Sequence, residues 1–192
     1  MSYKFYNCNK LININISNFN IKNVRNMDYM FANCISLKNI DLSNLNGKNI
    51  MTMNSMFLNC SNLLSINFTK FKTKKLINIG DCFHGCSSLK YIDLSSFITQ
   101  DLVDMSYMFD GCSSLTSIDF SSFDTQKVRK INGLLNNCSH LDYIDISSFK
   151  LYVENYSLFN NLSLKGIIKL KRSEYNKTKF QIPSKWEFIL NN

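Results

Sequence analysis

The amino-acid sequence predicts an α/β solenoid. About six coils of one repeating unit would stack with a parallel strand ladder on one face and short helices or 3₁₀ turns on the other. Three observations carry this. Cys8, Cys34, Cys60, Cys86, Cys112 and Cys138 recur every 26 residues, and a fixed period in that range marks a stacked array. Other columns keep the same phase and stay apolar, such as Leu11, Leu37, Leu63, Leu89, Leu115 and Leu141, or Ile14, Ile40, Ile66, Ile92, Ile118 and Ile144. Within each period the apolar spacing changes from alternation to steps of three and four, so each unit joins an extended half to a turned or helical half.

The chain opens in the second of these halves. Met1-Ser-Tyr-Lys-Phe-Tyr-Asn-Cys8 matches Met27-Asp-Tyr-Met-Phe-Ala-Asn-Cys34, with Lys4 where the later copy has Met30. The first coil is therefore expected either to present an open edge, able to self-associate, or to be cut from a longer array. The extended half follows. In Leu115-Thr-Ser-Ile-Asp-Phe120 the Ile-x-Phe part alternates as a half-buried strand does. Stacked strands of this kind lie ~4.8 Å apart. The other half, as in Met105-Ser-Tyr-Met-Phe109 or Val128 to Leu135, reads as a short helix or 3₁₀ turn with one buried face. Asp101 and Asp104 suit its start. Gly85 and Gly111, with Asn33, Asn59 and Asn137 in the same place, suit its end, because both residue types tolerate the left-handed conformation. Units fall near 1–18, 19–44, 45–70, 71–96, 97–122 and 123–148, with a degraded copy over 149–164. Residues 165–192 leave the pattern and are expected to form a basic C-terminal cap with a polar outer face.

The unit Met105-Ser-Tyr-Met-Phe-Asp-Gly-Cys-Ser-Ser-Leu-Thr-Ser-Ile-Asp-Phe-Ser-Ser-Phe-Asp-Thr-Gln-Lys-Val128 resembles the 26-residue repeat of BspA-like leucine-rich-repeat proteins. The likeness runs over roughly residues 1–150. It implies a leucine-rich-repeat-like solenoid and, loosely, binding or adhesion, often at cell surfaces. It brings no catalytic or ligand residues with it. The chain departs from the pattern at Cys82, in a column of Met, and at Gly47, in a column of Thr73, Thr99 and Thr125.

Little in the chain points to catalysis. There are two His, and no Ser or Cys stands in a matching phase with either. Structural zinc needs two close ligand pairs, and Cys82-Phe-His-Gly-Cys86 is one. Column cysteines point the same way from neighbouring coils, which is poor disulfide geometry, so a row of small buried thiols is the expected state. The reading is a protein with no catalytic residue, no metal ligand and no cofactor. Binding is expected on the strand face, at Lys38, Asp41, Lys90, Tyr91, Asp93, Asp119, Tyr143 and Asp145. Solenoids bind along such extended faces, and Tyr is a favoured interface residue. The aspartates lie between inward Ile and inward Leu or Phe, so they should project in a line.

Charge is the remaining signal. Of a net +8, residues 1–164 carry 15 Lys and Arg against 12 acids, while the tail holds Lys165, Lys169, Lys171, Arg172, Lys177, Lys179 and Lys185 against Glu174 and Glu187. The basic character reads as mainly a property of the cap, with a second cluster of Lys70, Lys72, Lys74 and Lys75 on a turn. No nucleic-acid motif accompanies it. The expected partner is another protein, with no small-molecule substrate, no nucleic acid and no membrane span; self-association through the first coil is the alternative. Met1 to Lys10 lacks the basic-then-apolar layout of a secretory leader, so an intracellular compartment is the default expectation.

Overall fold

The computed structural model describes residues 1–151, 157–178 and 181–192; Lys179 and part of the degraded copy over 149–164 lie outside the described residues. The chain winds as a β-solenoid of about six coils, built on parallel strands with few helices. Three seams of hydrogen bonds join successive coils, the strand seam in two separate sheets.

The first is the strand seam. β1 (Asn39–Asp41) pairs with β2 (Ser65–Asn67), Ile40 opposite Ile66, and β3 (Ser117–Asp119) pairs with β4 (Tyr143–Asp145), Ile118 opposite Ile144. The central Ile of each strand is buried, because alternation turns its neighbours outward. The second seam is a run of parallel bridges through Asn26, Thr52, Asn78, Asp104 and Lys130.

The third seam lies in the other half of each coil, which is not helical. Tyr29, Phe31 and Asn33 donate their N–H groups to the carbonyls of Asn54, Met56 and Leu58 in the next coil. The alternate residues Met30, Ala32 and Cys34 close local turns onto Met27, Tyr29 and Phe31. Two left-handed residues in each coil set up this alternation. Tyr29 (φ 55°) and Asn33 (φ 60°) are followed by Ser55 and Asn59, Asp81 and Gly85, Tyr107 and Gly111, and Gly133 and Asn137. An α-helix would commit every interior N–H to a carbonyl of its own segment and leave none for the neighbouring coil. The paired turns still point Met27, Met30, Phe31 and Cys34 inward, and so reproduce the three-and-four spacing that suggested a helix. Among the described residues helix is confined to α1 (Tyr175–Thr178), with 3₁₀ turns at Gly47–Asn49 and Arg172–Glu174. Asp101 and Asp104 open no helix; they pair with Lys127 and Lys130 of the following coil.

The in-phase columns are the interior. Phe5, Phe31, Phe57, Phe83 and Phe109 stack in register, with successive centroids 5.2, 5.4, 5.8 and 5.1 Å apart and rings within 17° of parallel. The cysteine column is more than filler. Cys34, Cys60, Cys86, Cys112 and Cys138 are buried and free, and each Sγ donates to the carbonyl of Phe5, Phe31, Phe57, Phe83 or Phe109 at 3.1–3.2 Å. Each of those carbonyls already accepts the N–H of the cysteine three residues on, so the thiol engages its second lone pair. Burial pushes the thiols up, Cys34 to about 11 and Cys138 to about 12, and Cys60, Cys82, Cys86 and Cys112 in the same direction.

The C-terminal segment does not simply close the array; it prolongs the strand seam. β5 (Gly166–Lys171) and β6 (Trp186–Asn191) add two parallel rungs to give the order β3-β4-β5-β6. Gly166 stands where the backbone and Trp186 converge. A Cβ there would lie 2.6 Å from the Asp142 carbonyl oxygen and 2.8 Å from the indole ring. Trp186 Nε1 donates to the Ser163 carbonyl at 2.9 Å. The buried Glu174 accepts the Leu151 N–H and pairs with Lys177 at 3.0 Å, while Lys177 Nζ donates to the Leu151 carbonyl at 2.7 Å.

Candidate interaction face

The outward residues of the strand seam make up the candidate face. The register aligns Ser117, Tyr143, Ile167 and Glu187 in one row and Asp119, Asp145, Lys169 and Ile189 in the next. Tyr91, in phase with Ser117, is 64% exposed, and Tyr143 is half-buried. Lys38 and Lys90 are exposed at the edge where the strand segments begin, and the Lys38 main chain links the first coil to the third by donating to Ile12 and accepting from Leu64.

The aspartates have local work. Asp41, Asp93, Asp119 and Asp145 each accept the N–H of the serine two residues on, Ser43, Ser95, Ser121 and Ser147, at 2.7–2.9 Å. Asn15 and Asn67 do the same for Ser17 and Thr69. The acidic stripe is thus a stack of Asx turns that ends each strand segment. Hydrogen bonds from Ser43 and Ser95 hold the Asp41 and Asp93 carboxyls below the usual carboxylate range. Asp41, Asp93 and Asp119 remain exposed.

Asp145 departs from the expectation. It is only 3% exposed, because β5 lays Lys169 over it with Nζ 3.0 Å from Oδ2. Burial pushes its carboxyl up, but the bonds from Ser147 and Lys169 outweigh that and hold it low; the same contact raises Lys169. Asp145 is a structural anchor and does not belong to the exposed face.

The tail supplies a part of the face that sequence reading missed. Beside Tyr143, an open groove of about 430 Å³ is lined by Asp142, Lys165, Ile167, Lys185 and Glu187. The alternation of Ile168 and Leu170, both buried, is the sequence signal for a strand there.

The groups with chemical potential stay apart. His84 Nδ1 faces Asp81 at 3.1 Å, a hydrogen bond that raises its pKa. His140 Nδ1 faces the Ser113 carbonyl at 2.7 Å. Cys82 and Cys86 are both buried in the interior. Among the described residues no group of three or more His, Cys, Asp or Glu gathers as a metal site, and no helix is long and apolar enough to cross a membrane.

Residues 1–92 and again 61–164 match a family model described as Mycoplasma protein of unknown function, DUF285. The chain belongs to the DUF285 family. The two matches overlap, as expected when one model can be laid on a repeating array in more than one phase. No curated protein and no solved structure matches the chain. The DUF285 matches end at residue 164, so β5, β6 and the Lys165, Ile167, Lys185 and Glu187 side of the groove lie beyond the matched part, while Asp142 and Tyr143 lie within it.

Proposed function

We propose that this DUF285 chain is a non-catalytic interaction module that holds another protein along its strand face, with adhesion as one use of that binding. The observation that carries the reading is the pair Tyr91 and Tyr143 on one outward row, while the acidic side chains around them are engaged in their own turns. Aromatic side chains supply large contact area at low entropic cost, and solenoid faces present them over several coils. The likeness to BspA-like leucine-rich repeats, with the 26-residue unit as one coil, belongs to this reading and points the same way. No cofactor or small substrate enters it. The test is capture with the intact chain, followed by affinity measurement on the captured protein with a Tyr91→Ala/Tyr143→Ala variant. Loss of about tenfold or more in affinity supports the face; unchanged affinity rejects it.

A second reading has its own support. The first coil exposes Tyr3 (56%) and Tyr6 (41%), and the carbonyls of Ser2, Lys4 and Tyr6, in the phase where later coils accept from their predecessor, take no backbone partner among the described residues. Self-association through this edge would fill them. Sedimentation over a wide concentration range tests it, and a strict monomer throughout removes it.

A further inference from the structure

The net charge is segregated along the solenoid. Residues 1–80 hold ten Lys and Arg against Asp28 and Asp41, whereas residues 81–164 hold five against ten acids. The near-neutral average over 1–164 hides this, so the basic character is not confined to the tail. In the first three coils the cations gather on the bend that follows the strand seam. The register of the bridge seam aligns Lys22, Lys48 and Lys74, and Lys70, Lys72 and Lys75 join them on the third coil; all six are exposed. Stretches 18–27, 44–53 and 70–79 contain no acidic residue, and among the described residues none of these lysines pairs with a carboxylate. The corner is a block of uncompensated positive charge.

Several of its asparagines are committed to the local turns. Asn20 and Asn46 accept the N–H groups of Lys22 and Lys48, and Asn49 donates to the Lys22 carbonyl. Phe71 is buried. Beside the lysines a row of aliphatic side chains turns outward on successive coils. Met51 is half-buried, Ile77 is 38% exposed and Val103 is 39% exposed, and their main chains are joined rung to rung, Ile77 N–H to Met51 and Val103 N–H to Ile77.

We propose that this corner docks the chain reversibly on the surface of an anionic lipid bilayer. Lysines clustered near a surface are drawn to anionic lipid phosphates, and exposed aliphatic groups beside them reach the headgroup boundary. A nucleic-acid backbone would use the lysines but not the aliphatic row, and the bend offers it no exposed aromatic platform for bases, Phe71 being buried and Phe19 half-buried. The surface is distinct from the strand face and does not rest on the protein-binding reading.

The test is cosedimentation of the intact chain with vesicles of neutral phosphatidylcholine, and with vesicles in which a third of the lipid is phosphatidylglycerol. The chain binds the anionic vesicles only, and high salt releases it. Each lysine near the surface contributes about fivefold in partitioning. Lys72→Gln/Lys74→Gln/Lys75→Gln therefore lowers binding by about a hundredfold with an unchanged melting temperature, since these side chains make no internal bond. Ile77→Ser lowers it by about fivefold. Lys165→Gln/Lys185→Gln, on the tail, leaves it unchanged. No binding to anionic vesicles, loss with the tail variant rather than the triple variant, indifference to Ile77→Ser, or binding of a single-stranded oligonucleotide in place of vesicles would each overturn the proposal.

Discussion

Replacing Gly85 by Ala tests the paired turns through its contact with Asn59 of the preceding coil, which a helix end in the same left-handed conformation would not make. In the structure Gly85 sits at φ +73°, and a Cβ there would lie 2.5 Å from Asn59 Oδ1. The left-handed conformation costs Ala about 1–2 kcal/mol. Asn59 must also swing aside, which breaks the bond from its Nδ2 to Asn33 Oδ1 and costs about 0.5–1.5 kcal/mol. The total is a destabilisation of about 2–3 kcal/mol. Gly111 is the control. It has φ +75°, but its added Cβ would meet Gly85 at an ordinary 3.5 Å, so Gly111→Ala carries only the conformational part. The assay is urea unfolding followed by far-UV circular dichroism and by the fluorescence of the single, buried Trp186. In an Asn59→Ala background the Gly85→Ala penalty should fall to that of Gly111→Ala. A neutral or stabilising Gly85→Ala, or an equal penalty in both backgrounds, refutes the paired-turn account.

Two further outcomes follow from the interior and the bends. Phe57 is fully buried between Phe31 and Phe83, so Phe57→Ala should cost about 3–5 kcal/mol in the same urea assay. Asp41, Asp93 and Asp145 are all held below the ordinary carboxylate range. A depressed folded pKa adds stability above the unfolded value of about 3.9 and loses it as pH falls through the folded value. Urea midpoints should therefore drop on acidification below about pH 4, and Asp93→Asn, which keeps an acceptor for the Ser95 N–H, should shallow that drop. An identical acid profile for wild type and variant would rule out this source of acid sensitivity.

Much of this architecture was legible because the interior is written in columns. Most inward columns, such as Leu37 to Leu141 and Ile40 to Ile144, keep their apolar character at one period, and stacking is the arrangement that buries them all at once. The second half was harder. Paired left-handed turns and a helix both bring residues three and four apart to one face, so spacing alone does not separate them. Asn33, Asn59, Gly85 and Gly111 marked one left-handed position in each coil. The other is filled by Tyr29, Ser55, Asp81 and Tyr107, residue types that give no such signal. The burial of Cys34, Cys60, Cys86, Cys112 and Cys138 followed from their phase, whereas Cys8 of the first coil shares the phase and is exposed; the bonds to the Phe carbonyls needed coordinates. Asp145 shares a column with Asp93 and Asp119, and what distinguishes it is Lys169 on β5, a neighbour 24 residues away that lies outside the repeat phase. The cluster Lys70, Lys72, Lys74 and Lys75 was legible as a basic turn, but its alignment with Lys22 and Lys48 needed the register of the coils.

The most direct test of the stacked interior is a count of reactive thiols in the native and unfolded protein. Cys8 is the exposed cysteine; the other six are buried, and all seven are free. A thiol reagent should label one site rapidly in the native chain, mapping to Cys8, and seven after denaturation without reductant. Rapid native labelling of Cys60, Cys86 or Cys112, or fewer than seven free thiols after unfolding, would contradict the account.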